Sequence, residues 1–240
     1  MDRPTAAVLL IGNEILSGRI RDENLPFLAS QLWSLGIALR RVEVCRDELA
    51  EIAAAVRRLA AGHSWLFTTG GIGPTHDDVT IEGVARAFGV RVVTHPHLEE
   101  MIREHFGEAV RPAHLRMAWA PEGATLEGQG DGAWPTVRLA NVLILPGVPS
   151  ILRRKFVRLV SLFEEAAPFE RRALTFLADE ADLAPVLEQA ALEHPTVEIG
   201  SYPEKGRVLV TFEGDDEEEL EAAIRQVDEG TAGVPRAPVL

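Results

Sequence analysis

Ala6-Ala7-Val8-Leu9-Leu10-Ile11 runs six residues without a polar side chain and stops at Gly12. A strand with one face in water alternates apolar and polar residues, so an unbroken run predicts a strand buried on both faces. Asn141-Val142-Leu143-Ile144-Leu145 is a second such run, ending in Pro146-Gly147-Val148-Pro149. Between them the spacing changes repeatedly. Leu25, Leu28, Leu32 and Leu35 have helical spacing, with Pro26 tolerated in a first turn and Gly36 as a stop. Ile37 to Val44 predicts a second strand, Ile52, Val56 and Leu59 the apolar face of a helix, and Trp65 to Thr68 a third strand. Strands alternating with helices predict an α/β fold, a mostly parallel sheet covered on both faces.

In such sheets ligands bind beyond the carboxyl ends of the strands. The loops after the first strand (Asn13 to Asn24), the second (Asp47), the third and the run 141–145 therefore converge on one edge. The third loop is the most unusual: Thr69-Gly70-Gly71-Ile72-Gly73-Pro74-Thr75-His76-Asp77-Asp78-Val79-Thr80, followed by a helical pattern to Phe88. Its glycines let backbone N–H groups approach an anion beside a helix start. Two carboxylates follow, which suit an anion site only if a cation lies between. The expected ligand is phosphate-bearing and held through a metal ion. A Walker A loop is excluded, because the only lysines, Lys155 and Lys205, lie far away in sequence. A dinucleotide fingerprint fails at its third glycine, where His76 stands.

Val90 to Thr94 predicts a further strand, His97 to Phe106 a helix and Arg111 to Trp119 a second short helix. Thr125 to Glu127 and Trp134 to Leu139 predict antiparallel edge strands. Ser150 to Phe163 predicts an amphipathic helix with a basic start, Arg153-Arg154-Lys155, either an aid to anion binding or a solvated face. Pro168 marks a boundary. A smaller unit follows: strand 173–177, helix 182–193, strand 197–201, a turn over 202–206, strand 207–212 and a helix over 217–228. A loose Pro/Gly-rich tail is expected from Gly230. His95, His97, His105 and His114 lack the spacing and the cysteine partners of a zinc site. A net charge of −13 argues against nucleic acid as a partner. One cysteine, Cys45, excludes an internal disulfide. No signal-peptide or membrane-span pattern is present, which predicts a cytoplasmic protein.

Three stretches carry a resemblance: Gly12-Asn13-Glu14-Ile15-Leu16-Ser17-Gly18-Arg19-Ile20-x-Asp22-x-Asn24, then Thr69 to Thr80, then Leu145 to Pro149. Together they resemble the CinA-type branch of the molybdopterin-binding superfamily, which also holds MoaB, MogA and the gephyrin E domain. Gly200-Ser201-Tyr202-Pro203 and its flanks resemble the small domain that follows in CinA and in the N-terminal half of eukaryotic FAD synthase. The resemblance implies a three-layer αβα MogA-like domain over 1–168 and a smaller α/β accessory domain over 169–240. It implies a homo-oligomer, dimer or trimer. Full-length CinA continues into a nicotinamide-mononucleotide amidase domain that this sequence does not include.

By position, two aspartates of adenylyl transfer in the molybdenum-cofactor branch match Asp47 and Asp78. Relatives in the CinA and FAD-synthase branch are associated with hydrolysis of dinucleotide pyrophosphates such as ADP-ribose or FAD. That chemistry uses magnesium or cobalt with potassium, and no covalently bound cofactor. On this reading Thr69, Gly70, Gly71, Gly73, Pro146 and Gly147 surround the phosphates, and Asp77 with Asp78 holds the metal. Asp47 or Glu14 takes a proton from water, and Asp22 and Asn24 contact ribose or base. Each has a plainer role beside it: Asp47 as a helix cap, Asp22 and Asn24 as turn residues, Glu14 as a loop carboxylate. Ile151 stands where CinA often carries a glutamate. The rival readings are molybdopterin adenylyl transfer and a non-catalytic pterin- or nucleotide-binding module.

Overall fold

The computed structural model describes residues 3–130, 132–163 and 169–237, and its contacts divide the chain into two compact units, 1–166 and 167–240. Pro168, the expected boundary, lies outside the described residues. In the first unit the elements run β1 (Thr5–Ile11), α1 (Asn13–Leu16), α2 (Asn24–Ser34), β2 (Ala38–Cys45), α3 (Leu49–Gly62), β3 (Trp65–Thr69) and α4 (Thr80–Phe88). They continue as β4 (Val92–Thr94), α5 (Pro96–Phe106), α6 (Pro112–Leu115), β5 (Trp119–Pro121), β6 (Thr125–Glu127), β7 (Thr136–Leu139), β8 (Val142–Leu145) and α7 (Pro149–Leu159). The main sheet has the order β2-β1-β3-β8-β7-β6. Its first four strands are parallel, and β7 and β6 are antiparallel additions at one edge.

Side-chain alternation along β1 explains the three layers. Ala7, Leu9 and Ile11 face one core with Ile52, Val56 and Leu59 of α3, Val84 of α4 and Leu98 and Ile102 of α5. Ala6, Val8 and Leu10 face the other, with Leu28 and Leu32 of α2 and Leu152, Phe156 and Leu159 of α7. Leu9 is wholly buried, and truncating such a leucine to alanine costs about 2–5 kcal/mol. The expected helix over 111–119 is broken: α6 stops at Leu115, a 3₁₀ turn covers Arg116–Ala118, and Trp119 already pairs with Thr94 as β5. Strand pairing there overrides the helical spacing.

The second unit is β9 (Glu170–Phe176), α8 (Glu180–Glu193), β10 (Glu198–Glu204), β11 (Arg207–Gly214) and α9 (Glu217–Gly230), with an antiparallel sheet of order β10-β11-β9. Two expectations fail here. The turn is not 202–206, because β10 continues to Glu204 and Pro203 pairs with Val208. An edge strand tolerates proline, since its outward N–H needs no partner. Only Lys205-Gly206 turns, with Gly206 at φ 76°. Nor are residues 231–237 loose: Leu177 N–H donates to Pro235 O at 2.7 Å and Ala237 N–H to Thr175 O at 3.0 Å. Arg236 lies over the Phe176 ring and pairs with Asp228. Asp216 caps α9, accepting from the N–H groups of Glu218 and Glu219, as its place before an acidic first turn leads one to expect. Among the described residues no helix is long and apolar enough to cross a membrane.

Candidate functional site

At the carboxyl edge of the parallel strands a cleft of about 780 Å³ opens within the first unit. The glycine loop lies at its centre. Gly70 (φ 100°) and Gly71 (φ 63°) take left-handed conformations, and a Cβ on Gly70 would collide with the Ile11 carbonyl oxygen. The loop is bolted in place: Thr80 Oγ1 donates to Gly70 O at 2.8 Å and Thr80 N–H to Gly71 O at 3.0 Å. Not every expected donor is available. Gly70 N–H donates to Leu145 O at 3.1 Å, extending the β3–β8 ladder, so it cannot serve a phosphate. The N–H groups of Gly71, Ile72 and Gly73 make no hydrogen bond among the described residues, and these three carry the loop's anion-binding capacity.

Asp78 faces the cleft but is partly committed. Its Oδ2 accepts from Thr75 N–H at 2.8 Å and from Thr75 Oγ1, closing the loop on itself. Gly73 makes room for this, since a Cβ there would stand 2.7 Å from Asp78 Oδ2. Asp77 points outward, its side chain 61 % exposed. Asp47 is not the expected helix cap: α3 begins at Leu49 behind Glu48, with no side-chain cap. Its Oδ2 instead accepts from Asn13 N–H at 2.8 Å and ties the β2 loop to the β1 loop. Burial raises the Asp47 carboxyl above its ordinary range, and the Glu14 and Asp77 carboxylates push it further in the same direction. Glu14 folds back over Gly12, where a Cβ would meet its Oε1 at 2.7 Å, and it lines the cleft.

Asn24 is 4 % exposed. Its Nδ2 donates to Gly147 O at 2.9 Å and Thr69 Oγ1 at 3.3 Å, bracing α2 against the ends of β3 and β8. Its Oδ1 has no partner among the described residues, which leaves one buried acceptor at the cleft. Asp22 caps the start of α2, accepting from Asn24 N–H and Leu25 N–H. Thr69, Pro146 and Gly147 line the same cleft, and Gly147 comes so close to Gly70 that a Cβ would stand 3.3 Å from its Cα.

The structure thus gathers Glu14, Asp22, Asn24, Thr69, Gly70, Gly71, Gly73, Asp78, Pro146 and Gly147 on one cleft, with Asp47 and Asp77 nearby. Among the described residues no three His, Cys, Asp or Glu side chains form a ligand set. A protein-only metal cage therefore does not fit. Two carboxylates do fit an ion of the magnesium type, which takes one or two from the protein and the rest from phosphates and water.

Phe106, Met117 and Trp134 complete the wall and were not foreseen. Trp134 reads as the first residue of an edge strand, but β7 starts at Thr136 and leaves the indole at the cleft. Ile151 also lines it. Arg153 pairs with Glu23, whereas Lys155 is buried and its Nζ donates to the carbonyls of Trp134 and Pro135.

Comparison with known proteins bears on the family and the fold. The family described as "Probable molybdopterin binding domain" matches residues 7–165, and "FAD synthase, middle domain" matches 168–233. An Archaeoglobus fulgidus protein is 34 % identical over 224 residues, 92 % of this chain and 96 % of that one. A probable FAD synthase of Caenorhabditis elegans is 32 % identical over 265 residues, covering 96 % of this chain but 50 % of the relative, so the chain spans half that protein's length. The crystal structure of CinA from Thermoplasma acidophilum, a protein of unknown function, superposes with a TM-score of 0.61 at 31 % identity over 66 % of this chain and 98 % of that one. This chain belongs to the molybdopterin-binding domain family, in its CinA-type branch, with an FAD synthase middle domain behind it.

Proposed function

We propose that the cleft binds a nucleotide pyrophosphate such as ADP-ribose or FAD and hydrolyses it to AMP and a phosphorylated product. One observation carries this reading: the uncommitted N–H groups of Gly71, Ile72 and Gly73 line a cleft that also holds Glu14, next to which stands a carboxyl group, Asp47, whose affinity for a proton is raised. The first feature suits phosphate oxygens. The second suits a group that takes a proton from water and later gives it up. Glu14 and Asp77 sharpen that property by their charge. Asn24 Oδ1 is left to accept from a ribose hydroxyl or an amine. Phe106, Met117 and Trp134 offer apolar and aromatic surface to a base or flavin ring. The name of the nematode relative supports a flavin nucleotide among the ligands.

Of the expected pair, Asp78 would hold a magnesium or cobalt ion from the protein's side, and Asp77, which points outward, would have to turn inward to join it. When bound, such an ion neutralises phosphate charge and lowers the pKa of a coordinated water. The chain's own part is to fix the pyrophosphate on the loop and to present Asp47 or Glu14 to the water.

A second reading, binding without turnover by a pterin or nucleotide module, is favoured by Ile151, which puts an alkyl group in the cleft wall. The test is incubation of the purified protein with ADP-ribose, FAD or NADH plus magnesium or cobalt and potassium, followed by chromatography for AMP. AMP release is expected, and D47N should lower it roughly a hundredfold or more, the scale of a lost general base. Tight binding with no AMP from any of these compounds would reject hydrolysis and leave the binding module. ATP-dependent adenylylation of molybdopterin would instead favour adenylyl transfer.

A further inference from the structure

The cleft lining carries both signs of charge, Glu14, Asp22, Glu23 and Asp78 against Arg21, Arg154 and Lys155. Glu14, Asp78, Asp47 and Asp77 gather over β1, β2 and β3. Arg154 and Lys155 stand on α7. Neither has a carboxylate partner among the described residues, although the chain carries 37 acidic against 24 basic side chains. Lys155 is 8 % exposed. An ammonium removed from water needs a counter-charge or a full set of acceptors. Lys155 has acceptors for two of its three N–H bonds, the carbonyls of Trp134 and Pro135, and it lines the cleft. Those two carbonyls also aim it, holding a normally mobile side chain in one place.

We propose that Lys155 and Arg154 form an anion subsite, which takes the phosphate of the bound pyrophosphate that lies farther from the adenosine. On hydrolysis, with water supplying the new P–O bond as the P–O–P bridge breaks, that phosphate leaves on the product other than AMP. The identity of the group rests on the hydrolytic reading above, but the subsite itself does not, because a buried ammonium without a counter-ion binds phosphate with or without turnover. The guanidinium of Arg154, exposed at the rim, adds a second contact of the kind phosphates favour. Burial lowers the Lys155 ammonium only to about 8, so it is charged at neutral pH.

Isothermal titration calorimetry of the full chain with inorganic phosphate, pyrophosphate and AMP tests this without any reaction. The wild type is expected to bind phosphate and pyrophosphate. K155M should weaken both by roughly tenfold to a hundredfold, the worth of one charge-assisted hydrogen bond. R154A should weaken them less. AMP, whose phosphate is the adenosine-side one, should respond least to K155M. Thermal unfolding in phosphate-free buffer adds a second readout: K155M should be at least as stable as the wild type, because methionine fills the space without a buried charge. A wild type that takes up no phosphate at millimolar concentration overturns the subsite. So does a folded K155M, or an R154A, that binds phosphate as the wild type does; should K155M fail to fold, R154A decides. Absence of AMP release with a clear K155M effect would reject hydrolysis and keep the subsite.

Discussion

Lys155 shows what a residue's place in sequence hides. In the run Arg153-Arg154-Lys155 three cations look equivalent, yet one pairs with Glu23, one stands at the rim, and one is buried against two carbonyls. Their difference is set by the 100° step of the helix, which turns Lys155 inward beside Phe156. The burial has a consequence for stability. Its ammonium titrates at about 8 in the folded chain against 10.5 when free. Below about pH 8 both folded and unfolded chains hold the proton, and the folded one bears the cost of burying it. Between about pH 8 and 10.5 the unfolded chain binds a proton that the folded chain does not, so this contribution to stability rises with pH. The gain is on the order of 3 kcal/mol across that window. Cys45 works the other way, since burial pushes its thiol up to about 12 and the unfolded chain loses that proton first. The measurement is therefore a difference: denaturant titrations of wild type and K155M in phosphate-free buffer at about pH 7 and about pH 10. The wild type should gain on K155M as the pH rises; a constant gap would refute the burial argument. The glycine loop and its aspartates were legible in the sequence because residue type alone limits what they do. That Gly70 N–H is already bonded and that Asp47 faces Asn13 were not, since both depend on strands distant in sequence.

Elements were read most surely where burial is complete. β1 and β8, buried on both faces, stand out as apolar runs, and their neighbours follow from helical spacing. β2 is less plain, because it is the sheet edge, with Arg40 and Arg41 exposed. Such charges discourage pairing with another edge. β10 was cut short by the usual meaning of proline, which an edge position cancels. Contact between helices was not legible at all. Gly83 of α4 sits against Ile52 of α3 so closely that a Cβ would collide with Ile52 Cγ2. On propensity alone, G83A should stabilise α4 by about 1 kcal/mol. Overpacking costs about 1–3 kcal/mol, so a net loss is expected, with the urea midpoint falling at an unchanged m-value. In an I52A background the space opens, and the same substitution should become neutral or stabilising. Additive effects of the two changes would show that the helices do not meet there as described.

At the scale of the whole chain, charge and core are divided unequally. After residue 166 there are 17 Asp and Glu against six Lys and Arg, and before it 20 against 18. The acidity that argues against nucleic acid therefore belongs mainly to the second unit and says little about the cleft. Two of the three hydrophobic cores, and every residue lining the cleft, lie in the first unit, while the second has one core around Phe176, Val210 and Phe212. The family matches change at the same place, 7–165 and 168–233. A segment with two cores on one sheet and its own complete loop edge has what an independent domain needs. Residues 1–166 alone should then unfold in one cooperative transition and bind inorganic phosphate at least as tightly as the full chain. Loss of an acidic neighbour cannot weaken an anion site by charge, and at low salt it should strengthen it slightly. The check is calorimetric unfolding of the truncated chain together with the phosphate titration. A truncated chain that folds but binds phosphate more weakly would mean that the second unit supplies part of the site. One that does not fold would mean that the two cores around β1 are not enough to hold the sheet.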